Sequence, residues 1–246
     1  MFFIRDIQAS CHHAKDPLES LPESFGLLVW NVNKSTDTKH YRRLFEMIKD
    51  TWNIHLILIQ EARMRPPSAP FLLPNFSYCS APNLQQGSLR YGLLTASTPT
   101  ALEAIAIASH AKEAIIGPGK GSLITRYGLT NGETLTLVNL HAINFRAARI
   151  YEKEMRRLQE YLRNITGPMI VAGDFNSWSE KRMHVLENFR QKLALKRVPF
   201  SSEKIKTFRG HPLDHILYRG LDCKRHFVPD FLHDSDHTPL MVEFGV

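Results

Sequence analysis

Met169-Ile170-Val171-Ala172-Gly173-Asp174-Phe175-Asn176 is an apolar strand that breaks off in a carboxylate and an amide. A glycine followed by two polar groups interrupts a buried strand abruptly. The plain alternative is an Asx-turn that simply closes it. Five other stretches are built alike: Trp30-Asn31-Val32-Asn33, Gln60-Glu61, Asn139-Leu140-His141, Leu213-Asp214-His215 and Ser235-Asp236-His237. Each places an oxygen or imidazole donor at the end of an apolar run. Several strands ending this way deliver their polar groups to one rim.

Outward from these stretches the chain alternates strands and helices. Short apolar or alternating runs predict strands over 26–32, 55–60, 91–95, 122–126, 134–140, 169–172, 213–218 and 239–244. Weaker strands are expected over 76–80, 102–108, 113–116 and 222–228. A helix over 38–49 carries Tyr41, Leu44 and Ile48 on one face. A second, over 146–165, repeats Ala147, Tyr151, Met155, Leu158, Leu162 and Ile165 at three- and four-residue steps, with Arg149, Lys153, Arg156, Arg157 and Arg163 opposite. A third, over 180–195, uses Leu186, Phe189 and Leu193. Residues 1–24 lack a clear period and read as a tail or flap before a single domain over 25–246. Two sets of strands with helices between them imply two packed mixed β-sheets with helices on the outer faces, an α/β sandwich of four layers. Side chains two apart on a strand share a face. Asn139 and His141 are therefore expected to point the same way, as are Asp174 with Asn176 and Asn31 with Asn33 if the backbone stays extended.

Composition narrows the classes. With 246 residues, 43% hydrophobic and 22% charged, the chain can bury one large core. No run reaches the roughly 20 apolar residues that span a bilayer, and no secretory leader is apparent. A cytoplasmic protein acting as a monomer is the default expectation. Cys11, Cys79 and Cys223 are odd in number and widely spaced, which reads as reduced thiols. A formal charge of +7 favours polyanions. The basic loop of Lys196, Arg197, Lys204, Lys206 and Arg209 precedes Asp214, close enough to border a site.

The donor types fit a hard cation and a phosphate ester. Mg²⁺ takes oxygen ligands and keeps several waters while holding phosphate oxygens. Glu61, Asn31 and Asp236 supply such ligands, with Mn²⁺ an acceptable substitute. Zinc is disfavoured, because no usual Cys/His spacing exists. Asp174 is the candidate for orienting or deprotonating water. Asn176 and one or two histidines would donate to phosphoryl oxygens, with Asp214 holding His237 in place. Each piece alone has an ordinary structural explanation; their combination in one chain does not.

The ordered set resembles the endonuclease/exonuclease/phosphatase superfamily, the DNase I-like fold, from about Gly26 to Val246. The phrases His141-Ala142-Ile143-Asn144-Phe145 and Gly210-His211-Pro212-Leu213-Asp214-His215 are similar to its bacterial YafD-like branch. The resemblance implies Glu61 as a metal-binding glutamate, Asn31 beside the metal and Asp236 as a second metal-proximal carboxylate. It implies Asp174 at the attacking water, Asn176 on the phosphate, His237 on the scissile phosphate with Asp214 behind it, and His141 near the leaving group, as in secreted DNase I. Asn33 stands where the DNA-repair branch tends to carry an aspartate. The implied activity is a Mg²⁺-dependent phosphodiesterase or nuclease on nucleic acid. A phosphomonoesterase or a phospholipid- or inositol-phosphate-type hydrolase is the second expectation, with a phosphorylated small molecule or lipid as substrate. A non-catalytic nucleic-acid-binding module is the third.

Overall fold

Residues 24–31 and 54–64 are buried on both faces, and that double burial organises the molecule. A computed structural model describes residues 2–4, 7–34, 39–65, 73, 75–112, 119–229 and 235–246. Odd-numbered Phe25, Leu27 and Val29 enter the core between the sheets, while Leu28, Trp30 and Val32 pack outward beneath a helix. Alternation along one strand thus builds two interfaces at once.

The first sheet orders β1 (Phe2–Phe3), β5 (Ser77–Gln86), β6 (Leu89–Ser97), β4 (Ile54–Met64), β3 (Ser24–Asn31), β16 (Leu240–Gly245) and β15 (Asp222–Phe227), with β2 (Ser10–His12) also on β5. The second orders β11 (Lys196–Arg197), β14 (Asp214–Arg219), β10 (Met169–Asp174), β9 (Thr134–His141), β8 (Gly119–Gly128) and β7 (Glu103–Lys112). A ribbon of β12 (Thr207–Phe208) and β13 (His211–Pro212) stands apart. Each large sheet is mixed: β3 runs parallel to β4, and β9 parallel to β10, among antiparallel neighbours.

Helices α1 (Lys39–Trp52), α2 (Ala148–Leu162) and α3 (Glu180–Lys192) cover the outer faces. Phe45 and Ile48 of α1 join Trp30, Ile57 and Ile59. Tyr151, Met155, Leu158 and Leu162 of α2 meet Leu186 and Phe189 of α3 over Val138, Met169 and Val171. Between the sheets, Leu56, Leu58, Leu137, Ile170, Ile216 and Phe244 are fully buried. Truncating such a leucine to alanine costs about 2–5 kcal/mol. The four-layer α/β sandwich is therefore present. The expected strand over 113–116, and the Tyr41 and Leu44 side chains, lie outside the described residues. No described helix is long and apolar enough to cross a membrane.

Two features of the N-terminal stretch were not foreseen. It lies along the first sheet as strands, and Leu21 is buried in the inter-sheet core. The reading of three reduced thiols is also corrected: Cys11 and Cys79 form a disulfide, leaving Cys223 free among the cysteines. Antiparallel pairing of β2 with β5 sets the two cysteines directly opposite. A separation of 68 residues hides that register from the sequence.

Candidate active site

Asp174 ends β10, and the register sets it beside His141 on β9 and Asp214 on β14. Gly173 makes this possible. Its φ is +137°, and a Cβ there would sit 2.1 Å from the Leu140 carbonyl oxygen, so no side chain fits between the strands. Beyond Asp174 the chain turns. Asn176 has φ +49°, and its N–H donates to Asp174 Oδ1 at 2.9 Å. The Asx-turn is real, and the extended backbone expected through Asn176 is not. The two readings are compatible: Oδ1 closes the turn and Oδ2 faces the site. Asn33 departs in the same way, at φ +45° with its N–H on Asn31 Oδ1.

Three groups converge on Asp174 Oδ2. Asn31 Nδ2 donates at 3.1 Å, His141 Nε2 lies at 3.3 Å and His237 Nε2 at 4.0 Å. Burial alone would raise the Asp174 carboxyl; the hydrogen bond and charge of His141, with the charge of His237, hold it well below the carboxylate range. His237 Nδ1 makes a 2.7 Å bond to Asp214 Oδ2. Burial alone would push this imidazole down and the Asp214 carboxyl up. Asp214 raises His237 to about 10, while His237 only partly offsets the burial of Asp214, whose carboxyl stays above its ordinary value. The turn carrying His237 is fastened to the end of β3: Trp30 Nε1 donates to the His237 carbonyl at 2.9 Å, and Ser235 Oγ donates to the Asn31 carbonyl at 2.7 Å.

Glu61 stands on the other sheet. A bulge in β4 between Ile59 and Ala62, with φ +55° at Glu61, turns this side chain away from the ladder. Lys120 Nζ lies 3.2 Å and Lys34 Nζ 3.5 Å from its oxygens, and His141 Nε2 lies at 3.8 Å. Burial alone would raise Glu61, but Lys120, then His141 and Lys34, lower it to about 2. The same His141 nitrogen thus reaches both Glu61 and Asp174. Asp236 sits at the rim, its side chain 55% exposed, paired with Lys206 Nζ at 3.5 Å.

A cleft of about 620 Å³ is lined by Asn31, Glu61, His141, Asp174, Asn176, Asp236 and His237, with Lys34 and Lys206. Asp214 lies behind His237, out of the cleft lining. Asn139 and Gln60 are not in it. Gln60 Nε2 donates to Asn139 Oδ1 at 2.7 Å, and Asn139 Nδ2 donates to the carbonyls of Ile59 and Leu94. This buried clamp ties the two sheets just below the site. His215, pushed down to about 3 by burial, is a neutral partner of Ser177 Oγ at 2.8 Å and supports the turn after Asp174.

The basic loop divides. Lys206 borders the cleft, whereas Lys196 and Arg197 form the edge strand β11, with Arg197 paired to Glu187. Three further residues shape the site and were missed in sequence. Lys34 and Lys120 offset the Glu61 charge; Lys120, between Gly119 and Gly121, is 6% exposed, and a lysine on an inward strand position was the signal. Arg182, 1% exposed, donates to the carbonyls of Ile143, Asn176 and Arg146 at 2.8–2.9 Å. It lies four residues before Leu186 and seven before Phe189, on the apolar face of α3, where an arginine is out of place.

Oxygen donors predominate where a metal ion would sit. Glu61 is ionised, Asn31 adds an amide at the neighbouring strand end, and two lysines balance the charge a cation would otherwise balance. These residues fit a hard divalent cation. Asp174, Asp214 and His237 also bring ligand atoms within 4.8 Å of one another, so this group too could hold an ion. Its Asp214–His237 bond and deep burial suit it better to fixing an imidazole.

Known proteins share the fold that carries these residues. The chain matches the Endonuclease/Exonuclease/phosphatase family over residues 28–237, a span holding all eight candidate residues. It is 34% identical over 235 residues to a UPF0294 protein of Vibrio cholerae, covering 94% of this chain and 82% of the relative; this agrees with the YafD-like branch. An endonuclease/exonuclease/phosphatase family protein from Bacteroides thetaiotaomicron has TM-score 0.67 at 16% identity, covering 92% of this chain and 96% of that one. D. rerio TDP2 complexed with single strand DNA product has TM-score 0.63 at 14% identity, covering 91% and 99%. At these identities the structural likeness carries the fold alone, and the family match carries the chemistry of phosphoester hydrolysis. This chain belongs to the endonuclease/exonuclease/phosphatase family.

Proposed function

We propose that this chain is a Mg²⁺-dependent phosphodiesterase that cuts nucleic acid by attack of water on phosphorus. The convergence of Asn31, His141 and His237 on one oxygen of a buried, ionised Asp174 carries this reading. A carboxylate held so acidic stays charged and is a weak proton sink, so Asp174 orients the attacking water by hydrogen bonding rather than by taking its proton. His237, cationic near neutrality and fixed by Asp214, stabilises charge on the phosphoryl oxygens. Asn176, whose Nδ2 gives one hydrogen to the Ala142 carbonyl at 3.0 Å, would offer the other to the same oxygens, and His141 would serve the leaving oxygen. Mg²⁺, or Mn²⁺ in its place, would be held by Glu61 with Asn31 and Asp236 and would neutralise phosphate charge.

The nucleic-acid part rests on the +7 charge, on the lysines along the cleft, and on the single-stranded DNA product bound by the TDP2 structure of the same fold. Purified protein with Mg²⁺ should cleave plasmid, single-stranded DNA or RNA and stop in EDTA. Turnover of small or lipid phosphate esters with every polynucleotide intact would replace this reading by the phosphomonoesterase or lipid-hydrolase one.

A further inference from the structure

Phe145 is 69% exposed with a backbone φ of +47°. A bulky residue adopts that conformation at an energetic cost, and it persists only where the surroundings over-determine it. Burial of the ring returns nothing here. Hydrogen bonds hold the loop instead. The Phe145 N–H donates to Asn144 Oδ1 at 2.8 Å, and Trp178 Nε1 donates to the same oxygen at 2.8 Å. Arg182 grips the carbonyls of Ile143 and Arg146 on either side. Its guanidinium lies 4.5 Å from the Tyr151 ring centroid and 4.6 Å from that of Trp178. The result of this bracing is an aromatic ring presented to the cleft that contains Asp174.

Two more rings line that cleft. Trp178 and Phe208 meet edge to face, with centroids 6.2 Å apart, and Phe208 is 44% exposed. The Arg209 guanidinium lies over both, at 5.5 and 5.6 Å. Lys34 and Lys206 line the same cleft. The exposed Phe145 ring beside the arginine-capped Trp178 and Phe208 pair, with lysines along the cleft, matches a polyanion that carries flat groups.

We propose that Phe145, with Trp178 and Phe208, forms a stacking ledge for the unpaired bases of a single-stranded nucleic acid. The proposal rests on the nucleic-acid reading above and narrows it to unpaired substrate. Every unpaired base offers a π-face to such a ledge, whatever the sequence. Bases in a duplex are stacked on one another, so their faces are not available to it.

The test is binding in EDTA, which prevents turnover, read by anisotropy of a labelled oligothymidylate and of a blunt-ended duplex of equal length. Wild type should bind the single strand about ten-fold more tightly than the duplex, and Phe145→Ala should lose about that factor. Phe145→Trp should keep it. Phe145→Gly guards against misfolding: glycine tolerates φ +47°, so its Tm should hold or rise while single-strand binding falls. Equal affinity of wild type for single strand and duplex, or unchanged single-strand binding in Phe145→Gly, overturns the ledge and leaves the nuclease reading standing. Absence of binding to either polymer, together with intact polynucleotides in the cleavage assay, removes both.

Discussion

The two halves of the site are held in different ways. On one side, Asp174 and Asp214 of the second sheet and His237 on the turn before β16 are almost fully buried; Asp214 bonds His237 at 2.7 Å, and Asp174 accepts from the Asn31 amide and the Asn176 N–H. On the first sheet, Glu61 faces two lysine ammoniums and an imidazole at 3.2–3.8 Å, with its side chain 18% exposed. The first arrangement fixes geometry before any ligand arrives. The second holds charge but leaves direction open, as suits a position that exchanges one cation for another. On the proposed function this difference is a division of labour: the buried half would orient water and charge in the transition state, and the lysine-flanked half would take the metal.

That division can be broken by mutation. The largest effect is expected from Asp174→Ala, which should lower kcat on the order of 10³-fold with little change in KM, because its work lies in the transition state. Steady-state kinetics on an oligonucleotide check this; a loss confined to KM would move Asp174 to ground-state binding. Next comes Asp214→Asn, with kcat/KM falling roughly 10²-fold. Here pH supplies a sharper readout. The His237 pKa is raised in the folded protein to about 10 from an ordinary 6.5. Its contribution to stability is therefore complete below 6.5 and is lost as pH rises through 10. Activity that needs the imidazolium should have an alkaline limb near pH 10, and Asp214→Asn should move that limb toward neutrality. An unmoved limb would separate His237 from Asp214.

On the other half the effects are smaller and concern affinity. Glu61→Gln should weaken Mg²⁺ binding on the order of ten-fold or more, measured by calorimetry. Lys120→Met should act oppositely, tightening Mg²⁺ a few-fold, because the ammonium competes for the same carboxylate. Weaker binding in Lys120→Met would mean that the lysine helps to build the metal position.

Much of this was legible in sequence because strand ends announce themselves. Val171-Ala172-Gly173-Asp174 reads as an apolar run stopped by a carboxylate, and seven of the eight residues chosen on that basis line one cleft, with Asp214 behind. The register that sets Asp174 opposite both His141 and Asp214 needs two other strands, and no local pattern encodes it. The turned backbones of Asn33 and Asn176 escaped for a related reason. Period-two reasoning assumes extension, and a side-chain hydrogen bond to the main chain overrides it. Lys120 and Arg182 belong to types that ordinarily sit at the surface; only their place on an inward face marks them. The Cys11–Cys79 bridge was invisible because its partners meet only after the N-terminal strand has docked on β5.

The contrast between the halves is tested most directly by titrating Mg²⁺ against hydrolysis of a single-stranded oligonucleotide by wild type, Glu61→Gln and Asp174→Ala in parallel. Glu61→Gln should regain most of the wild-type rate at high Mg²⁺, since it lacks affinity and little else. Asp174→Ala should stay slow at every concentration. Rescue of Asp174→Ala by the metal, with Glu61→Gln left inactive, would contradict the division and place the metal on the buried half.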